Sequence, residues 1–261
     1  MTKSSNRKTV AQIDKERLKA LNNGEIETAT LTECLAVDFA VLLNSVLPDI
    51  GEDAIRLLQQ ESKTGILKRM TMTGQLIHDR MGEKVLAHLA NHQSDTVRGW
   101  ACFFIGAIEN MTIADRINAI LPLADDSHFG VREWAWMAIR RHIAVDLEAS
   151  IPCLAGLVTS TSGRIRRFAS ESIRPRGVWC PHLGVLKKNP ELALAILEPL
   201  RTDPERYVQD SVSNWLNDAS KDQPEWVREI CQRWLDETPD NPNTKRIVSR
   251  ALRSLKDVPK E

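Results

Sequence analysis

Four segments of the 261-residue chain repeat one helical pattern: Val97-Arg98-Gly99-Trp100-Ala101, Val131-Arg132-Glu133-Trp134-Ala135, Ile165-Arg166-Arg167-Phe168-Ala169 and Val208-Gln209-Asp210-Ser211-Val212. Their first residues are 34, 34 and 43 positions apart. A period of this size marks stacked helical pairs, none of which can bury its apolar face alone. The expected fold is all-α, a solenoid of helical repeats with a concave inner face. Function is expected where the inner helices line up on that face.

The rest of the chain agrees with a helical reading. Apolar spacing near 3.6 predicts helices over 9–21 and 30–47, parted by the turn Asn22-Asn23-Gly24. Further helices are expected over 52–61, 64–80, 83–92, 95–108, 191–201, 206–218, 224–236 and 243–255. Asp95, Ser127, Ser162 and Asp203-Pro204 stand where helix caps and turns belong. The stretch from Arg174 to His182 holds Pro175 and Pro181 and cannot be regular helix. It lengthens one repeat to 43 residues, and an insertion in a regular array is a candidate functional loop. The reading is one repeat domain over 9–256, with a basic tail at 1–8 and a charged tail at 257–261.

The net charge is zero, but it is unevenly placed. Residues 127–190 hold ten Lys and Arg against four acids, a net +6, and both flanks are acidic. A basic centre between acidic ends is the pattern of a localised anion site. The five cysteines form no C-x-x-C, and His128, His142 and His182 have no metal-ligand spacing. No metal or cofactor is expected, and the cysteines read as reduced thiols of a cytoplasmic protein. No apolar run is long enough to span a bilayer. There is no Gly-rich phosphate loop, and no lysine stands out as a Schiff-base former.

The acids of the repeats fall into register. Counted from the first signature residue, apolar side chains recur at 0, +4 and +8: Val131, Ala135, Ile139; Ile165, Ala169, Ile173; Val208, Val212, Leu216. That stripe is the core face. Glu133 falls at +2, Glu171 at +6 and Asp218 at +10, which on a helix lie at about 200°, 240° and 280°. Such a diagonal would bring three carboxylates toward one patch of the inner wall. Arg140 and Arg174 both fall at +9, and Arg132 and Arg166 at +1. Trp134, Trp136, Trp179 and Trp215 lie on or next to the same repeats. Carboxylates and aromatic faces favour a cationic ring, while arginines hold phosphates. Polar faces joined by ion pairs between repeats are the structural alternative.

At these residues the sequence resembles the AlkC/AlkD-type DNA alkylation-repair glycosylases with HEAT-like repeats, the AlkC side in particular. The likeness is carried by Arg166-Arg167-Phe168-Ala169-Ser170-Glu171-Ser172-Ile173-Arg174-Pro175-Arg176 and by Tyr207-Val208-Gln209-Asp210-Ser211-Val212-Ser213-Asn214-Trp215-Leu216-Asn217-Asp218. Ser220-Lys221-Asp222 and Ile247-Val248-Ser249-Arg250-Ala251-Leu252-Arg253 extend it. It covers 10–256 in layout, with specific motifs in 130–256. It implies an all-α HEAT-like solenoid and removal of N-alkylated, cationic bases (N3-methyl or N7-alkyl) from double-stranded DNA by a monomer, without a lyase step. Carried over by position, Asp218, Glu133 and Glu171 are the implied active-site acids. Arg132, Arg140, Arg166, Arg174, Arg176 and Asn214 are the expected DNA-binding residues, and Trp134, Trp136, Trp179 and Trp215 the expected lesion-contacting aromatics. Gly177-Val178-Trp179-Cys180 departs from the continuation AlkC proteins tend to have after R-P-R. The alternative reading is a catalytically silent HEAT-like scaffold that binds DNA or a protein.

Overall fold

The computed structural model describes residues 10–255, and every regular element among them is helical. The expected tails at 1–8 and 257–261 lie outside the described residues. The chain divides into two compact units, Met1–Met111 with Asp126–Ala138, and Thr112–Asp125 with Ile139–Glu261. No helix among the described residues is long and apolar enough to cross a membrane. All five cysteines are free thiols.

In the first unit, the Ile66–Met81 helix packs along Asp95–Ala107, all of whose residues are buried. The two backbones come close because Gly74 has no Cβ. A Cβ there would lie 2.6 Å from the Phe103 carbonyl carbon. Trp100, Phe104, Ile77, Leu42 and Leu43 fill the core. Two expected helices are broken. Lys15–Asn22 starts late because the Asp14 carboxylate accepts from the Arg17 amide. The run 30–47 splits into Leu31–Ala36 and Phe39–Val46, because the Asp38 carboxylate caps the Ala40 and Val41 amides and starts a new helix. Asp95 is not a cap. Ser94 holds that position, and the buried Asp95 carboxylate accepts from the amide and hydroxyl of Thr28, each at 2.8 Å.

In the second unit, Arg206–Ala219 packs between Gly163–Glu171 and Pro242–Ala251. Ser162 and Asn241 cap the two outer helices, as short oxygen side chains at those places should. Pro224 opens the Pro224–Glu237 helix at a position where its missing N–H costs nothing. The expected helix 191–201 reduces to a 3-10 turn, Pro190–Ala193, and the short Leu194–Leu197. The apolar stripe is where its spacing puts it: all nine residues are buried.

The arginine one place after each signature start has a repeated structural task. Arg98 donates to the carbonyls of His92 and Gln93, Arg132 to those of Asp126 and Ser127, and Arg166 to those of Ser160 and Thr161. Each reaches back five and six residues and fastens the turn before its own helix. Arg98 and Arg166 also pair bidentately, with Asp126 and Asp203 respectively. Both aspartates lie five residues before the next signature start, and each also accepts the amide two residues on. At the turn before the Phe129–Val145 helix, Asp126 takes the His128 amide at 2.7 Å.

Candidate active site

Pro175 determines how the site begins. The residue before a proline is pushed out of the helical region, so Gly163–Glu171 ends at its cap Ser172. Arg174 therefore does not continue the helix face on which its +9 offset would put it. It stands in the turn beyond, where it meets acids from two helices. Its Nη1 donates to Glu171 Oε1 at 2.8 Å. Its Nε and Nη2 both donate to Asp218 Oδ2, at 2.9 and 2.8 Å. Two of the three predicted acids thus share one guanidinium. Both are buried, Glu171 at 3% exposure and Asp218 at 5%.

The two carboxylates are held differently. Glu171 is saturated: its other oxygen accepts from the Ser211 hydroxyl at 2.6 Å and lies 3.7 Å from Arg167 Nη2. Burial pushes its pKa up, but Arg167, Arg174 and Ser211 outweigh burial and hold it below the usual carboxylate value. Burial likewise pushes Arg174 down, and the two acids outweigh it, so this guanidinium stays charged. Asp218 has both Arg174 bonds on one oxygen. Its Oδ1 faces Lys221 Nζ at 3.5 Å, and that lysine side chain is 45% exposed.

A loop carrying a third element is tied down beside these acids. Buried Arg140 donates to the carbonyls of Ser172 at 2.8 Å, Arg174 at 2.5 Å and Pro181 at 3.3 Å. Burial lowers its pKa. The Leu183 amide closes the loop on the Pro175 carbonyl at 3.0 Å. Gly177 is required where the loop doubles back, since a Cβ there would sit 2.2 Å from Cys180 Sγ and 3.1 Å from the Arg140 guanidinium. Trp179 projects from this loop at 48% exposure with φ +62°, a left-handed conformation that costs a bulky residue energy.

The remaining predicted residues divide by their contacts. Arg176 forks onto Asp222, with Nη2 at 3.0 and 2.9 Å from its two oxygens. Asn214 accepts from Arg253 Nη2 at 3.0 Å. Glu133 belongs to the first unit, where its Oε2 accepts from Trp136 Nε1 at 2.8 Å. Arg132, Arg140 and Arg166 each donate to backbone carbonyls, Arg140 from a buried position. Trp134, Trp136 and Trp215 are buried, so their ring faces pack against protein rather than lie open to a base. Trp215 donates to the Ile173 carbonyl at 3.0 Å and so steadies the turn that carries Arg174. Trp179 is the exposed member of the four. Sequence reasoning did not select Ser211, Lys221 or Arg253. Lys221 was visible as the third residue after Asp218, on the same side of a helical turn.

Comparison with known proteins locates this unit. Residues 133–253 match the DNA alkylation repair enzyme family. Residues 82–174 match HEAT repeats. The first of these spans contains Glu133, Glu171, Arg174 and Asp218. The fold is that of the AlkC/AlkD-type proteins. Pseudomonas fluorescens alkylpurine DNA glycosylase AlkC, solved bound to DNA containing an abasic site analog, superposes with a TM-score of 0.69 at 24% identity, over 95% of this chain and 65% of that one. AlkD2 from Streptococcus mutans gives a TM-score of 0.58 at 20% identity, over 78% of this chain and 98% of its own. The uncharacterized protein YhaZ of Bacillus subtilis (strain 168) is 32% identical over 148 residues, which are 57% of this chain and 40% of YhaZ. The chain thus spans less than two thirds of both AlkC and YhaZ.

Proposed function

We propose that this protein is a DNA glycosylase that hydrolyses the N-glycosidic bond of alkylated, cationic bases in double-stranded DNA, without a lyase step. The family match of residues 133–253 supports DNA alkylation repair. The observation that carries the chemistry is the one-sided hold on Asp218, with two bonds from Arg174 on Oδ2 and only an exposed lysine at 3.5 Å from Oδ1.

Alkylation at N3 or N7 leaves the base positively charged, so the glycosidic bond is already weak. As it breaks, its electron pair goes to the base and neutralises it, and positive charge builds on the sugar. A fixed carboxylate whose second oxygen meets only an exposed lysine at 3.5 Å suits both remaining needs. It stabilises the sugar cation and accepts the proton of the water that adds to C1′. The products are a free base and an abasic sugar. Glu171 keeps Arg174 in place, and Arg174 keeps Asp218 oriented. In this reading Arg176 and Asn214 serve the DNA backbone, and Trp179 meets the lesion.

Mass analysis of bases released from methylated DNA by the purified protein tests the proposal. Release of methylated bases is expected, and a loss of about 10²–10³-fold in Asp218→Asn, whose amide oxygen still faces Arg174. No release by the wild type, or an unchanged rate in the variant, would sink it.

A further inference from the structure

Two exposed cations stand near Asp218, Lys221 and Arg253. Lys221 follows Asp218 by three residues and faces its Oδ1. Arg253 reaches the same helix from the Leu252–Leu255 turn, donating to Asn214 Oδ1, one helical turn before Asp218. Its Nη1 is tied to the Arg250 carbonyl at 2.6 Å. Both residues are exposed, unlike the buried Arg174 and Arg140. Burial and then the Arg250 charge lower the Arg253 pKa, while Asp218 raises it and Arg174 lowers it further.

We propose that Lys221 and Arg253 make a phosphate seat, which places the DNA backbone next to Asp218 Oδ1, and that Asn214 is the residue that positions Arg253. This rests on the repair reading of the same site. A damaged nucleotide presents both signs within one unit: cation on base and sugar, anion on phosphate. The carboxylate takes the first and the two cations take the second. In the free protein Lys221 occupies the side of Asp218 that a sugar cation needs. A phosphate that draws the ammonium outward therefore uncovers Oδ1 as the substrate arrives.

The test uses the full chain with a short undamaged duplex and the same duplex after methylation. Binding is measured against salt concentration for wild type, Lys221→Gln, Arg253→Gln and the double variant. The slope of log K against log salt is expected to fall by about one per variant and about two in the double, with several-fold weaker binding for each. Lys221→Arg restores the slope, which a merely structural lysine would not require. On methylated duplex KM rises in both variants. Replacing chloride by inorganic phosphate at equal ionic strength weakens wild-type binding further but not that of the double variant. Slopes equal to wild type overturn the seat, even where methylated bases are released and the repair reading stands. Reduced slopes without base release by the wild type leave the seat standing and overturn the repair reading. Lys221 is solvent-facing, so Lys221→Gln decides the matter even if Arg253→Gln fails to fold.

Discussion

Two Arg–Asp pairs in the second unit use the same chemistry to different ends. Arg166 and Asp203 form a closed fork: Nε to Oδ2 at 2.6 Å and Nη2 to Oδ1 at 3.0 Å, with Oδ1 also taking the Glu205 amide. Both oxygens of that carboxylate are engaged at short distance. Arg174 and Asp218 form a lopsided pair, in which both nitrogens crowd onto Oδ2 and Oδ1 is left to a mobile-stemmed lysine. A saturated acid is a rivet, whereas an acid held by one oxygen is fixed in place and still able to do chemistry. Burial does not separate the two, since both aspartates are buried. The distribution of donors over the two oxygens does.

The comparison can be broken most forcefully at the arginines. Arg174→Gln strands two buried carboxylates, and a loss of about 3–5 kcal/mol in denaturant unfolding is expected. Arg166→Gln strands one and should cost less, while base release per folded molecule stays within a few-fold of wild type. If Arg166→Gln instead abolishes release at full folding, the rivet assignment is wrong. At the acids the contrast inverts. Asp218→Asn loses turnover by the hundred- to thousand-fold stated above, and Asp203→Asn loses stability but not turnover.

A smaller effect is expected at the loop that Arg140 fastens. Gly177→Ala forces Cys180 and the Arg140 guanidinium to move, at a cost of about 1–3 kcal/mol in stability. An unchanged melting temperature would mean that the loop adjusts freely. The smallest effect concerns pH. Glu171 titrates below its ordinary 4.5 in the folded protein, so it binds its proton more readily when unfolded. Its contribution to stability is therefore complete above the ordinary carboxylate range and is lost as pH falls through the lowered folded value. Melting curves between pH 7 and pH 3 should show an acid decline that Glu171→Gln lacks in part. Identical declines would remove the Glu171–Arg174 pair as its source.

Much of the helical framework was legible in the repeat. Val131, Ala135, Ile139 and their counterparts had to be core because apolar residues at every fourth place share one face, and no other arrangement hides them. The site was legible in part. Glu171 and Asp218 came out of the same register, yet the helical angle assigned to Arg174 failed because Pro175 ends the helix first. The partners of the arginines were hidden for a different reason. Arg98 finds its aspartate 28 residues on, Arg166 finds its own 37 on and Arg174 finds Asp218 44 on. A clue was nevertheless present: Asp126 and Asp203 each stand five residues before a signature start, while Ser160 holds that place in the repeat between. The tryptophans show the limit of composition. Ring type says that a residue is large and apolar, and only packing says whether its face is covered.

The sequence by itself determined the helices, the buried stripe and the residue types gathered near the 43-residue repeat, because these follow from spacing along one chain and from the cost of exposing apolar surface. Tertiary structure alone decided which carboxylate leaves one oxygen to an exposed lysine and which arginines donate to carbonyls. Those outcomes depend on donors that arrive from distant helices, and the direction of a hydrogen bond is set by where neighbouring elements finally stand.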